Sequence, residues 1–238
     1  MNRHSQLKIR IFADGANKKE ILELNQNPFV KGFTTNPSLM KKAGITDYLS
    51  FSREVLSEIK DKPFSLEVFA DDLSEMERQA KIIASLGDNV YVKIPVMNTK
   101  KESTAQLVSS LSSAGIKINI TAVFTVQQSL EMVSALKNDT PAFLSVFAGR
   151  LADTGIDPVP LVAGSVGAAS MKKNVEVLWA STREVWNIYQ AEALGCGCIT
   201  APGDVIKKLN QDYKSAYDQS HETVLTFFRD STDAGFSL

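Results

Sequence analysis

Lys93 interrupts the apolar run Val90-Tyr91-Val92-Lys93-Ile94-Pro95-Val96, where packing alone does not account for a cation. The β-branched and aromatic residues of this run, bounded by Asp88-Asn89 and Pro95, read as a buried strand. An unpaired ammonium in such a strand is costly. A desolvated lysine amine, by contrast, attacks carbonyl carbon and forms Schiff bases. The plainer alternative is a lysine on an edge strand that faces water.

Other strand-like segments carry polar residues near their C-terminal ends. Asp14 ends the first, Thr34-Thr35-Asn36-Pro37 the second, and Glu67 lies near the end of the third. Asn119 and Thr121 fall on the fifth; their spacing of two puts them on one face of a strand. Ser145 and Arg150 lie on and after the sixth, Ser181 and Arg183 just after the seventh. Each has a structural reading of its own: Asp14 and Ser181 as helix caps, Asn36 before Pro37 as turn chemistry, the arginines as solvated surface charges. Together they make a lysine, two carboxylates and several amide and hydroxyl groups that a single rim would bring into one site.

The elements that must position these groups alternate along the chain. Strand candidates are Lys8 to Ala13, Val30 to Thr34, Phe64 to Phe69, Val90 to Ile94, Lys117 to Val123, Ala142 to Phe147, Glu176 to Trp179 and Gly197 to Thr200. Helical patterns separate them. Asn17 caps Lys18 to Asn25, Asp72 with Glu75 forms a capping box before a helix closed by Gly87, and Ser181 with Glu184 forms another before one closed by Gly195. Eight strands alternating with helices in 238 residues predict a single α/β domain over 1–238, a closed (β/α)8 barrel of the TIM type with a C-terminal helical extension over 213–229. In such barrels chemistry gathers where strands run out into βα loops. Asp14-Gly15-Ala16-Asn17 lacks the glycine spacing of a dinucleotide site.

Composition narrows the function. The chain is 44% hydrophobic and 22% charged with a net charge of −1, which argues against nucleic acid or an anionic membrane as partner. No apolar stretch approaches the ~18 residues of a membrane span, and the N-terminus lacks the apolar core of a signal peptide. Cys196 and Cys198 are too few and too close for a disulfide framework or a four-ligand zinc site, and fit a reducing, cytoplasmic setting. With only His4 and His221 present, a histidine-based triad or metal site is not expected.

Six stretches resemble the transaldolases, specifically the short type that includes fructose-6-phosphate aldolase: Phe12-Ala13-Asp14, Thr34-Thr35-Asn36-Pro37-Ser38-Leu39, Val92-Lys93-Ile94-Pro95, Asn119-Ile120-Thr121, Ser145-Val146-Phe147-Ala148-Gly149-Arg150 and Ala180-Ser181-Thr182-Arg183. The resemblance implies that Lys93 attacks the C2 carbonyl of a ketose phosphate and that Asp14 takes the C4 hydroxyl proton. Glu67 with Thr121 would move protons as the carbinolamine forms and dehydrates. Asn36, Asn119 and Ser145 would hold the hydroxyls of the retained three-carbon unit, with Phe147 beside it. Arg150 and Arg183 would bind the phosphate, aided by the Ser181 hydroxyl and the backbone amides of the following helix N-terminus. No metal or organic cofactor is implied.

Three positions depart from parts of the family. Gly15 stands where threonine is common, and Glu67 and Phe147 stand where the aldolases carry glutamine and tyrosine. The latter pair resembles the transferases. The expectation is a transaldolase moving dihydroxyacetone from sedoheptulose 7-phosphate or fructose 6-phosphate to an aldose phosphate in the pentose phosphate pathway. An aldolase releasing free dihydroxyacetone, a non-catalytic sugar-phosphate barrel and a sugar carrying another anion are the alternatives. Short members of the family form rings, so a homo-oligomer is expected. Tyr213, Ala216, Tyr217, Val224, Phe227 and Phe228 are available to pack on a neighbour or to close the end of their own barrel.

Overall fold

The computed structural model describes residues 3–137, 139–211 and 214–238. Eight parallel strands close into a barrel in chain order: β1 (Arg10–Asp14), β2 (Val30–Thr34), β3 (Phe64–Glu67), β4 (Val90–Pro95), β5 (Ile118–Val123), β6 (Ala142–Val146), β7 (Val175–Trp179) and β8 (Cys198–Pro202). The helices are α1 (Lys18–Asn25), α2 (Pro37–Lys42), α3 (Tyr48–Glu58), α4 (Leu73–Ala84), α5 (Ala105–Ser113), α6 (Val126–Ala135), α7 (Ala148–Ala152), α8 (Val159–Ala169), α9 (Trp186–Ala193), α10 (Gly203–Lys208) and α11 (Ala216–Asp233). This is the (β/α)8 barrel expected from the alternation. Among the described residues no helix is long and apolar enough to cross a membrane.

The two-residue period of the strands divides the apolar residues into two cores. Ile11 and Ala13, Val90, Val92 and Ile94, Ile118 and Ile120, and Val175, Val177 and Trp179 belong to the large outer core, where they meet helix residues such as Ile83, Leu111 and Ile188. Phe12, Phe143, Leu178, Ala180 and Cys198, of opposite parity, form a small inner core with Tyr91 and Phe147 packed against it. Phe12 meets Phe143 edge-on at 5.4 Å and Tyr91 stacks on Phe143 at 4.4 Å. Room for Phe12 comes from Gly32, since a Cβ there would lie 2.7 Å from its ring. Arg10 lies over both phenylalanine rings and pairs with Glu176. Above this aromatic plug the inward positions turn polar.

Several boundaries differ from the sequence expectation. β1 starts and ends later than Lys8 to Ala13, and β3 stops at Glu67, before Phe69. Asn17 caps α1 as expected, accepting from the Glu20 N–H. Asp72 caps α4 by accepting from the Ser74 and Glu75 N–H groups, but the Glu75 carboxylate turns to Arg78 and does not complete a capping box. The box at Ser181 and Glu184 does not form. α9 begins at Trp186, Ser181 takes a φ of 66°, and the Asn187 side chain accepts from the Arg183 and Glu184 N–H groups instead. Of the proposed 213–229 extension, Tyr213 lies outside the described residues; α11 runs from Ala216 with a Ser215–Asp218 capping box, and none of its residues is buried.

The inner plug gives the first test. Phe12→Ala removes a fully buried ring between Phe143 and Gly32, and should destabilise the fold by about 3–5 kcal/mol in urea denaturation. A loss below about 1 kcal/mol would mean that the barrel interior collapses around the gap.

Candidate functional site

A cavity of about 230 Å³ opens at the C-terminal ends of the strands, lined by Asp14, Asn36, Lys93, Thr121, Ser145, Phe147, Arg150, Ser181 and Arg183 together with Thr34, Ala180, Thr182, Thr200 and Pro202. At its floor Lys93, only 6% exposed, donates from Nζ to Glu67 Oε2 at 2.8 Å and to the Thr35 carbonyl at 2.8 Å. β3 and β4 pair with Glu67 opposite Lys93, so the ladder register itself delivers the carboxylate. Glu67 pairs with the lysine from outside the cavity lining.

Asn119, opposite Lys93 on β5, is fully buried beneath the cavity. It donates to Ser65 Oγ at 3.0 Å and accepts from Ser145 Oγ at 2.6 Å. Ser145 has thereby committed its proton and presents lone pairs to the cavity. Thr121 Oγ1 is buried without a hydrogen-bond partner. A bulge follows it directly: Ala122 takes a φ of 59°, and the register to β6 shifts between Ile120 and Val123. Such a bulge re-aims the neighbouring side chain. Asn36 caps α2 through Oδ1, accepting from the Leu39 N–H at 3.0 Å, which leaves its NH2 group as the available donor.

Asp14 does not cap a helix. Its Oδ1 accepts from Thr34 Oγ1 at 2.7 Å, and Thr34 Oγ1 is 2.6 Å from Thr200 Oγ1. With the Thr34 proton on Asp14, the Thr200 hydroxyl must be the donor to Thr34. Burial pushes the Asp14 carboxyl above its ordinary value; the Lys93 charge and the Thr34 hydrogen bond pull it down, while the Glu67 charge pushes the same way as burial. Asp14 is thus a carboxylate with raised proton affinity close to a cation.

At the rim, the Arg150 guanidinium lies 5.2 Å from the centre of the Phe147 ring. Arg183 holds Asp153 through two parallel contacts, Nε to Oδ1 at 3.2 Å and Nη2 to Oδ2. That pairing leaves the Nη1 edge of the guanidinium for another anion. The Arg183 and Glu184 amides ahead of α9 are held by the Asn187 side chain. Ser181 reaches the cavity because Gly149 lets α7 touch the loop after β7: a Cβ at 149 would fall on the Ser181 carbonyl oxygen.

The sequence reading gave no role to Thr200, Ser65 or Asp153. Thr200 shares inward parity with Cys198 and Pro202, a signal that was present. Asp153 stands 30 residues from Arg183 in a turn-like stretch and carried none.

Fold and cavity define a (β/α)8 barrel with a buried lysine–carboxylate pair at its C-terminal mouth. The family described as transaldolase/fructose-6-phosphate aldolase matches residues 11–237, and this chain belongs to it. It is similar to proteins named probable transaldolase from Brucella anthropi (36% identical over 202 residues, 84% of this chain and 88% of that protein) and Chelativorans sp. (36% over 203 residues, 84% and 88%). Another of that name, from Dehalococcoides mccartyi, is 36% identical over 204 residues, 85% of this chain and 91% of its own.

Two predictions follow from the geometry. Gly149→Ala should force the Ser181 carbonyl away and cost roughly 1–3 kcal/mol; an unchanged melting temperature would refute the close approach. Asp14→Asn should raise the melting temperature near neutral pH. The folded protein binds the Asp14 proton more tightly than the unfolded chain, so its stabilising contribution belongs to acid pH and is lost as pH rises through the raised native value. The advantage of the asparagine should therefore vanish at the acid end, where the carboxyl is protonated in both states, and grow as pH rises through the raised native value. An advantage independent of pH would count against this account.

Proposed function

We propose that the protein is a transaldolase that carries a dihydroxyacetone unit on Lys93 from a ketose phosphate to an aldose phosphate. The observation that carries this reading is the Lys93–Glu67 pair at the cavity floor with Asp14 in the same cavity and two arginines at its rim. Lys93 Nζ adds to the C2 carbonyl, and loss of water from the carbinolamine gives an iminium. Asp14 accepts the C4 hydroxyl proton, the C3–C4 bond breaks, and its electron pair flows to the iminium to form an enamine as the aldehyde departs. The enamine carbon then attacks an acceptor aldehyde as Asp14 returns its proton to the aldehyde oxygen, and hydrolysis of the new iminium releases the ketose phosphate and frees Lys93.

Glu67 and Thr121 flank the lysine as the proton carriers of carbinolamine formation and dehydration. The unpartnered Thr121 hydroxyl supports this role. Asn36 offers a donor and Ser145 an acceptor to the hydroxyls of the three-carbon unit, Asn119 fixes Ser145 from below, and Phe147 closes one side. Arg150, Arg183 and Ser181 receive the phosphate. A carboxylate and not an amide at position 67 supports transfer over release, since the two differ in charge and in the protons they move. The exposed apolar residues of α11, among them Tyr217, Phe227 and Phe228, support assembly with further copies of the chain in a homo-oligomer.

Borohydride added with fructose 6-phosphate should fix a three-carbon adduct on Lys93 alone, read by mass spectrometry, with EDTA leaving activity intact. Label on another lysine would overturn the assignment. Lys93→Arg should abolish turnover, because a guanidinium stays protonated. Free dihydroxyacetone should stay low without erythrose 4-phosphate and rise in Glu67→Gln; rapid acceptor-independent release by the unaltered enzyme would make it an aldolase. Arg150→Ala should lower kcat/KM for fructose 6-phosphate by about one to two powers of ten, and an equal loss with a non-phosphorylated ketose would make that arginine structural.

A further inference from the structure

β2 donates to β3 in a two-residue step: the Phe33 N–H reaches the Pro63 carbonyl at 2.8 Å and the Thr35 N–H the Ser65 carbonyl at 3.2 Å. Continued once more, the step makes residue 37 the donor to the Glu67 carbonyl. Residue 37 is a proline that opens α2 and has no N–H. The ladder therefore fails at the residue whose side chain meets Lys93.

The missing donor comes from elsewhere in the chain. Tyr48, the first residue of α3, donates its phenol to the Glu67 carbonyl at 2.8 Å. Its ring packs edge-on against Phe69 at 5.4 Å, on the stretch that follows β3. The Phe69 and Ala70 N–H groups both donate to Gln79 Oε1. On the other side of β3 the Val68 N–H donates to the Lys93 carbonyl at 3.1 Å. The backbone at Glu67 is thus tied on one side to the lysine's own strand and on the other to a single phenol.

We infer that Tyr48 is a positioning residue for the Lys93 amine: it replaces the backbone donor that Pro37 cannot supply and so fixes the strand end from which Glu67 reaches Lys93. Burial first, and the nearby Glu67 charge second, push the Tyr48 phenol up from its ordinary value of 10.0, so it keeps its proton, and its donor role, at neutral pH. The inference rests on the proposed Schiff-base chemistry of Lys93. It adds a residue from α3 that touches neither cavity nor lysine.

Tyr48→Phe is the test, since it keeps the ring on Phe69 and deletes one hydrogen bond. The rate of borohydride-trappable adduct formation on Lys93 with saturating fructose 6-phosphate should fall roughly three- to tenfold, the effect of one ordinary hydrogen bond on a rate. KM for fructose 6-phosphate should stay within about twofold, because the arginines at the rim are untouched. In a Glu67→Gln background the same substitution should lose most of its effect on trapping, as expected of a residue that acts through Glu67. A trapping rate per folded enzyme equal to that of the unaltered protein, or an equal loss in both backgrounds, overturns the inference while leaving the Schiff base standing. Absence of any Lys93 adduct in the unaltered protein overturns both.

Discussion

The structure turns on the burial of one ammonium. Lys93 lies inside the barrel wall almost out of water, and the desolvation of such a charge costs several kcal/mol unless it is paired and hydrogen-bonded. Two partners meet that demand, the Glu67 carboxylate from β3 and the Thr35 carbonyl from the end of β2. Three adjacent strands must therefore end at matching heights. The pairing of Glu67 with Lys93 and the turn at Asn36-Pro37 satisfy this requirement.

Other charges of the site are held by devices of the same kind, suited to their depth. Asp14 sits low and is steadied by neutral hydroxyls in series, Thr200 to Thr34 to carboxylate. Arg150 and Arg183 sit high, near water, where an aromatic face and a carboxylate fork orient them without deep burial. Beneath all of these the aromatic plug of Phe12, Phe143 and Tyr91 keeps the barrel floor shut. The polar groups are thus fixed before any ligand arrives, which is the arrangement that stabilises developing charge without reorganisation.

What the sequence revealed and what it concealed divide along the range of the interactions involved. Strand count and barrel class were legible because short apolar, β-branched runs alternating with helical patterns are local signals, and Lys93 stood out as a cation within one of them. Asn17 was legible as a cap because its partner, Glu20, is three residues away. Ser181 and Glu184 carry the same local signature, yet no cap forms there. The conformation of Ser181 is set by Gly149 and by the side chain of Asn187, and the first of these is 32 residues distant in the chain. The Asp153 partner of Arg183, the Thr200 support of Asp14 and the Tyr48 phenol at Glu67 are all contacts that only closure of the barrel creates. The polar residues that meet at the barrel mouth could be found from type and spacing; the contacts that orient them could not.

The contact between Gly149 and the Ser181 carbonyl also bears on how this barrel can diverge. Position 149 borders Arg150, and Ser181 is two residues from Arg183, so α7 and the loop after β7, which carry the rim cations, are interlocked through a point with no room for a side chain. A lineage, or a laboratory library, that changes the charge of this rim can exchange either arginine one step at a time. It cannot pass through any residue but glycine at 149 without shifting both segments together. The route to an altered rim is accordingly a ridge with one fixed coordinate, and variants that keep Gly149 while replacing Arg150, Phe147 or Arg183 are the accessible neighbours of this sequence.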